Sequence, residues 1–299
     1  MGQRSTKLSW NTATALKLGR VSNLPTVWTN TLAGVVLAGA SPLDGRLLTL
    51  LLAMSAAYIG GMFLNDAFDR EIDAVERPER PIPAGQVSAV SVFVAGYGLL
   101  FFAIAVVGWI AVSPGGGGLP AIAAVVALAG CIVLYNVWHK ANPISPFIMG
   151  LCRMLVYITA GWSLTTTSDA VLYVGATLVL CYLIGLTYTA KQENLGEVKN
   201  LWPLAFLLVP LIAGIWWASL AQPATWVAAL LLFAWLLYAL YFVKRRAPGD
   251  IPRAVVSMIA GIALVDAVLI ATTMSLLWVM LAVAAFLLTL LFQRFVAGT

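Results

Sequence analysis

An all-α polytopic membrane bundle, of nine or ten transmembrane helices around a central polar cavity, is the fold this sequence predicts. Three observations point to it. Of the 299 residues, 62% are hydrophobic and only 10% are charged, a composition foreign to soluble domains. The chain divides into ten apolar runs, each long enough, or nearly so, to cross a hydrocarbon layer of about 30 Å. The runs are apolar all round and do not alternate as barrel strands do. Backbone polar groups cannot stay unpaired in lipid, so the runs must be helices.

Residues 1–23 are polar and basic, without the apolar core of a signal peptide; they read as a cytoplasmic amphipathic segment. Residues 24–299 read as a single transmembrane domain. The first runs cover 24–41 and 47–64, and the second leads into an acidic stretch. Runs 88–112 and 119–138 follow, separated by the flexible outer turn Gly115–Gly118. Run 146–165 contains Arg153, and run 170–190 leads into a second acidic stretch. Runs 201–220, 224–243, 254–273 (with Asp266) and 275–293 complete the chain.

Charge placement orients the bundle. With a cytoplasmic N-terminus and ten crossings, fifteen of the 17 lysines and arginines fall on the inner side. Only Arg46 lies in an outer loop, and Arg153 lies within a run. This is the positive-inside pattern, expected of a multi-pass protein of a bacterial inner membrane. The net charge of +5 is therefore a topology signal, and cations divided among short loops argue against nucleic-acid binding. Cys131, Cys152 and Cys181 lie in separate runs and read as packing residues. His139, the sole histidine, reads as an interface residue. Membrane lipid is an implied partner, and no feature points to an obligate protein partner.

The second run ends in Asn65-Asp66-Ala67-Phe68-Asp69-Arg70-Glu71-Ile72-Asp73. At roughly 100° per helical residue, Asn65, Asp66, Asp69 and Asp73 fall within a sector of about 100°. One helix face thus carries three carboxylates and an amide at the mouth of a membrane segment, where unneutralised acids repel one another. The plain alternative is a solvated acidic loop. A hard divalent cation relieves the repulsion, and Mg²⁺ bound by one or two carboxylates characteristically recruits substrate phosphates. The sixth run ends in Glu193 and Glu197, spaced like Asp69 and Asp73 and each 124 residues beyond its counterpart. Two acidic clusters ending inside-facing runs predict a shared cavity able to hold Mg²⁺.

Asn65–Asp73, with the tail Glu79-Arg80-Pro81-Ile82-Pro83-Ala84-Gly85, resembles the first signature of the UbiA superfamily of intramembrane prenyltransferases. Arg20–Thr26 resembles the approach to that family's first span, as does Tyr135 with Lys140 after the fourth. The resemblance covers residues 20–200. It implies a helical membrane bundle, Mg²⁺, a prenyl diphosphate donor and a small lipophilic acceptor, with aromatic rings ranked first. The sequence departs from the family in two respects. The second motif usually carries aspartates, whereas this chain has Gln192-Glu193-Asn194-Leu195-Gly196-Glu197. The family generally has nine spans, against ten runs here. Met149–Arg153 and Ala254–Ala267 also resemble the UbiA-like EboC group.

On this reading Asn65, Asp66, Asp69, Asp73, Glu193 and Glu197 ligate Mg²⁺, which grips the diphosphate as the allylic C–O bond breaks. Lys140, Arg70 and Arg153 are expected to touch the diphosphate, Arg153 through a bidentate fork. Tyr135 would offer its ring to a developing cation. A charge at mid-helix costs about 2.5–3.5 kcal/mol, so Arg153 and Asp266 should face a cavity or each other. An apolar tunnel would shield the prenyl cation from water. The rival reading is a transporter or flippase of an isoprenoid or aromatic metabolite that reuses the bundle.

Overall fold

The computed structural model describes residues 10–140, 142–193, 197–217, 223–273, 276–296 and 298. Among them there are helices and no strand. A short α1 (Thr12–Leu18) and a 3₁₀ turn (Val21–Asn23) lead into α2 (Leu24–Leu37) and the long α3 (Leu47–Glu76). Then come α4 (Ala89–Val112), α5 (Leu119–Trp138), α6 (Ser145–Ser163) and α7 (Ala170–Ala190). A 3₁₀ stretch (Trp202–Leu208) runs into α8 (Val209–Trp217), and α9 (Pro223–Arg245), α10 (Asp250–Ala271) and α11 (Leu276–Phe292) close the chain.

Every one of the ten apolar runs holds a helix. Six of them, α3, α4, α5, α7, α9 and α10, are long and apolar enough to cross a membrane; Trp202–Trp217 and α11 are shorter. At 14 residues, α2 rises only about 21 Å, because Gly39 turns the chain away with φ +76°. In the second acidic stretch, Asn194, Leu195 and Gly196 lie outside the described residues, as does the N-terminal part of the 1–23 segment.

The apolar side chains form two large clusters that meet on α2. One joins α2 to α3, α4, α5 and α6. The other joins α2 to α7, α9, α10 and α11. An apolar window covering 83% buried positions makes α10 the central post of the second half, as expected of a helix that is hydrophobic all round. Packing of α11 on α2 closes the ring. The hydrogen bond from Asn23 Nδ2 to the carbonyl of Gly298 (2.9 Å) returns the chain end to the end where α3 finishes.

Without a strong hydrophobic drive between helices in lipid, small residues let backbones approach. At Gly34 of α2 a Cβ would lie 2.5 Å from the Tyr157 carbonyl oxygen of α6. Gly34→Ala should therefore cost about 1–3 kcal/mol through overpacking, read as a lower unfolding midpoint in detergent. An unchanged midpoint would show that α2 and α6 are not packed this tightly.

Candidate active site

The last three turns of α3 supply one wall of a polar cavity of about 260 Å³. Asn65, Asp69 and Asp73 are buried there, between 2% and 8% exposed, whereas Asp66, equally buried, lines the polar space behind this one. Glu76 lines the cavity as well, one turn beyond Asp73 on the same helix face. The turn after α3 explains the sequence tail. Arg77 N–H bonds the Asp73 carbonyl (2.9 Å) and Arg80 N–H the Arg77 carbonyl (3.0 Å), and this turn brings Arg80 back onto the acids; Gly85, at φ +67°, closes the next turn. Arg80 Nη1 lies 2.7 Å from Asp73 Oδ2 and 3.3 Å from Asp66 Oδ1.

Arg20 approaches from the other side. Its backbone is left-handed (φ 42°), a region non-glycine residues seldom enter. Its guanidinium reaches both Asn65 Oδ1 and Asp66 Oδ1 at 3.1 Å. Burial alone would lower the Arg20 pKa, but Asp66 and the hydroxyls of Tyr58 and Tyr135 raise it above its ordinary value. Asn65 also donates to Asn136 Oδ1 of α5 (3.2 Å), and Asn136 donates to the Gly61 carbonyl (3.1 Å). This short relay fixes the amide against α3.

The end of α5 contributes three residues. His139 Nε2 lies 3.3 Å and Lys140 Nζ 3.7 Å from Asp69 Oδ2. The His139 ring stacks on Tyr135, with centroids 4.8 Å apart at 17°. Lys191, at the end of α7, donates to the Asn142 carbonyl (2.6 Å) and Ser145 Oγ (2.9 Å), and partial burial lowers its pKa. Glu193 faces Arg77 at 3.9 Å, and both line the cavity. Beneath, Tyr135, Met62 and Met149 also border a largely apolar cavity between α2, α3, α5 and α6. Tyr135 therefore stands where the polar and apolar spaces meet.

Four residues are placed differently from their sequence expectation. Glu197 does not line the cavity but pairs with Arg246 at 3.2 Å on an exposed face. Arg70 points away from the acids, pairing with Glu71 (2.9 Å) beside the Phe93 ring; on α3 it lies outside the acidic sector. Arg153 is buried but lines the apolar cavity, not the polar one. It donates to Asn30 Oδ1 (2.7 Å) and Thr26 Oγ1 (3.3 Å) and lies over the Tyr58 ring. Asn30 in turn donates to both Asp266 oxygens, at 2.9 and 2.8 Å, and Tyr157 bonds the same carboxylate. Arg153 and Asp266 thus meet through an amide and not directly. Asp66, finally, lines the space behind this cavity and not the cavity itself; His139 caps the end of α5 with its ring toward Asp69. Arg20, Arg77, Arg80, Glu76 and Lys191 join the cavity without having been singled out.

The donors on the cavity wall are carboxylate and amide oxygens, the hard ligands Mg²⁺ prefers. Among the described residues no three histidine, cysteine, aspartate or glutamate side chains gather tightly enough to hold an ion alone. That suits a metal held by one or two carboxylates, with substrate phosphate and water completing its shell. The donor set fits Mg²⁺.

Residues 27–195 match the model of the UbiA prenyltransferase family. The chain belongs to that family. With six helices of spanning length, this UbiA-family chain is a multi-pass integral membrane protein. Similar curated proteins are digeranylgeranylglyceryl phosphate synthases. That of Natronomonas pharaonis is 30% identical over 176 residues, 57% of each chain. That of Methanothrix thermoacetophila is 43% identical over 83 residues, 21% of this chain and 31% of the relative. The chain thus spans less than two thirds of the length of the relatives it matches. These relatives carry a different name from the EboC-like group. Among solved structures, a UbiA homolog from Archaeoglobus fulgidus bound to DMAPP and Mg²⁺ superposes with a TM-score of 0.55 at 16% identity, covering 85% of this chain and 98% of the homolog. A digeranylgeranylglyceryl phosphate synthase structure gives 0.58 at 18%, covering 87% and 97%. At these identities the likeness is one of fold.

Proposed function

We propose that the protein transfers a prenyl group from a prenyl diphosphate to a small lipophilic acceptor inside the membrane, with Mg²⁺ as cofactor. The observation that carries this reading is the junction of two spaces. A cavity walled by carboxylates and cations adjoins an apolar one, with Tyr135, Met62 and Met149 lining both. An amphiphile with a diphosphate head and an isoprenoid tail fits that division. The Archaeoglobus homolog was solved with DMAPP or GPP and Mg²⁺, which supports the donor class.

In this reading Mg²⁺ would be held by one or two carboxylates at a time from Asp69, Asp73 and Glu193, with the Asn65 amide beside them and Asp66 engaged by Arg20 and Arg80 behind, and the bound ion would supply positive charge to the departing diphosphate. Arg20, Arg77, Arg80, Lys140 and Lys191 draw the anion in and hold it against the acidic wall. The allylic C–O bond breaks, with its electron pair leaving on the diphosphate. Tyr135 and the apolar wall keep water from the electrophilic carbon. A nucleophilic atom of the acceptor forms the new bond and gives up its proton. Aromatic rings remain acceptor candidates, and the name of the curated relatives adds lipids bearing a glyceryl phosphate. The positive-inside charge pattern supports a cytoplasmic N-terminus and a cytoplasmic acidic end. The curated relatives are archaeal, which lends no support to a bacterial membrane.

Binding of a non-hydrolysable prenyl diphosphate analogue, with and without Mg²⁺, tests the reading. Glu193→Gln should weaken Mg²⁺-dependent binding about tenfold, because an amide is a neutral and weaker ligand. Glu197→Gln should change it less than about twofold, as expected of an exposed ion pair. Equal losses in both variants would restore Glu197 to the metal site, and binding indifferent to Mg²⁺ would overturn the cofactor assignment.

A further inference from the structure

A second polar cavity, of about 440 Å³, lies behind the first. Arg20, Arg77 and Arg80 line both cavities, so the two share an arginine partition. Lys17 of α1 adds a fourth cation that lines only the second space. Its carboxylates are Asp66, Glu79 and Glu193. Asp66 is already bound to Arg20 and Arg80, and Glu193 lies a loose 3.9 Å from Arg77.

The other side of this space is apolar. Pro81 forms one part, and Phe295 and Val296, in the turn after α11, form another. That turn is held in place from both ends. Gln293 Nε2 donates to Asn23 Oδ1 at 3.2 Å, and Asn23 Nδ2 donates to the Gly298 carbonyl at 2.9 Å. The result is a chamber with cations on one wall and hydrocarbon on the other.

We infer that this chamber is a second phosphate-binding site, taking a phosphate oxyanion that is distinct from the donor diphosphate held against Asp69 and Asp73. Arginine forks and a lysine point charge are the usual means of gripping phosphate oxygens. An anion seated here would lie across the arginine partition from the donor. Two sources supply the same chemistry: the phosphate of a lipid acceptor, or the inorganic diphosphate released by transfer. The inference rests on the prenyl-transfer reading only for the origin of the anion.

Lysine acylation footprinting of the full-length protein, read residue by residue by mass spectrometry, tests it without any need for turnover. The probes are a short-chain phosphatidic acid and inorganic diphosphate with Mg²⁺, each titrated separately. Protection of Lys17 by at least about threefold is expected, since one charge-assisted contact is at stake and Lys17 is solvent-exposed. Lys244, at the foot of α9, should keep its reactivity. Protection by the lipid phosphate alone assigns the chamber to the acceptor, and protection by diphosphate alone assigns it to the leaving group. Lys140 and Lys191 report separately on the donor cavity. Their protection with Lys17 left fully reactive would overturn the second site while sparing the proposed function. No protection of any of the three would overturn both. In Lys17→Ala, direct titration should show about threefold weaker binding of the protecting probe; unchanged affinity would also count against the chamber.

Discussion

Asp69→Asn and Asp73→Asn are each expected to cut Mg²⁺-dependent prenyl transfer by about a hundredfold or more, because each removes a charged first ligand where even outer partners are worth 10–100-fold. The fold should survive. Both carboxylates sit at the end of α3, and each faces cations across a cavity, not a packed core. Asp73→Asn loses its 2.7 Å contact with Arg80, but Arg80 keeps Asp66 and the acidic wall loses one repelling charge. Helical content by circular dichroism should be unchanged while transfer is lost. Activity within about threefold of the parent in both variants would exclude these two residues as ligands.

The second large effect concerns stability. Asp266 is fully buried and is bonded by Asn30 and Tyr157, with Arg153 one link further along the chain of bonds. Asp266→Leu leaves a buried guanidinium without its counter-charge, and breaking such a buried pair typically costs about 3–5 kcal/mol. Replacing Arg153 by Met alone should cost a similar amount. Replacing both together should cost much less than the sum, since an apolar substitute for a buried ion pair is often near neutral. Denaturant unfolding in detergent micelles would show this as recovery of the midpoint in the double variant. Strict additivity would mean that the two charges are not coupled through Asn30.

The fold was legible wherever hydropathy alone decides structure. Ten apolar runs became ten helical segments because lipid leaves the backbone no other solution. What hydropathy does not encode is length of helix against length of run. Run 24–41 yields α2 of only 14 residues, since Gly39 and the following turn end the helix inside the apolar stretch.

The acidic face of α3 was legible for the same local reason: a helix repeats at about 100° per residue, so spacing fixes which residues share a side. Glu76 lies on that side too and could have been found by extending the count one more turn. Arg70 was readable as an outlier of the sector by the same rule. The cationic wall was not readable in this way. Arg20 and Arg80 reach the acids through a left-handed residue and the turn at Arg77–Arg80, the His139 ring faces them through the crossing of α5 over α3, and none of these leaves a periodic trace.

Arg153 illustrates the same limit. A charge inside an apolar run announces that it has a partner, but the partner proved to be the neutral Asn30 of α2, whose amide no charge pattern marks. Glu197 shows the opposite failure. Its spacing from Glu193 copies that of Asp69 and Asp73, yet the two glutamates lie beyond the end of α7, where helical periodicity no longer puts them on one face.

Product formation separates prenyl transfer from carriage. Purified protein would be incubated with Mg²⁺, radiolabelled prenyl diphosphates of several lengths, and two acceptor pools, phenolic aromatics and glyceryl-phosphate lipids. One donor–acceptor pair is expected to yield a labelled, chelator-sensitive product that disappears in Asp73→Asn. Tight Mg²⁺-dependent binding of the donor analogue, with no labelled product from any pair in either pool or from an extract of native small molecules, would contradict it and favour a carrier of isoprenoids.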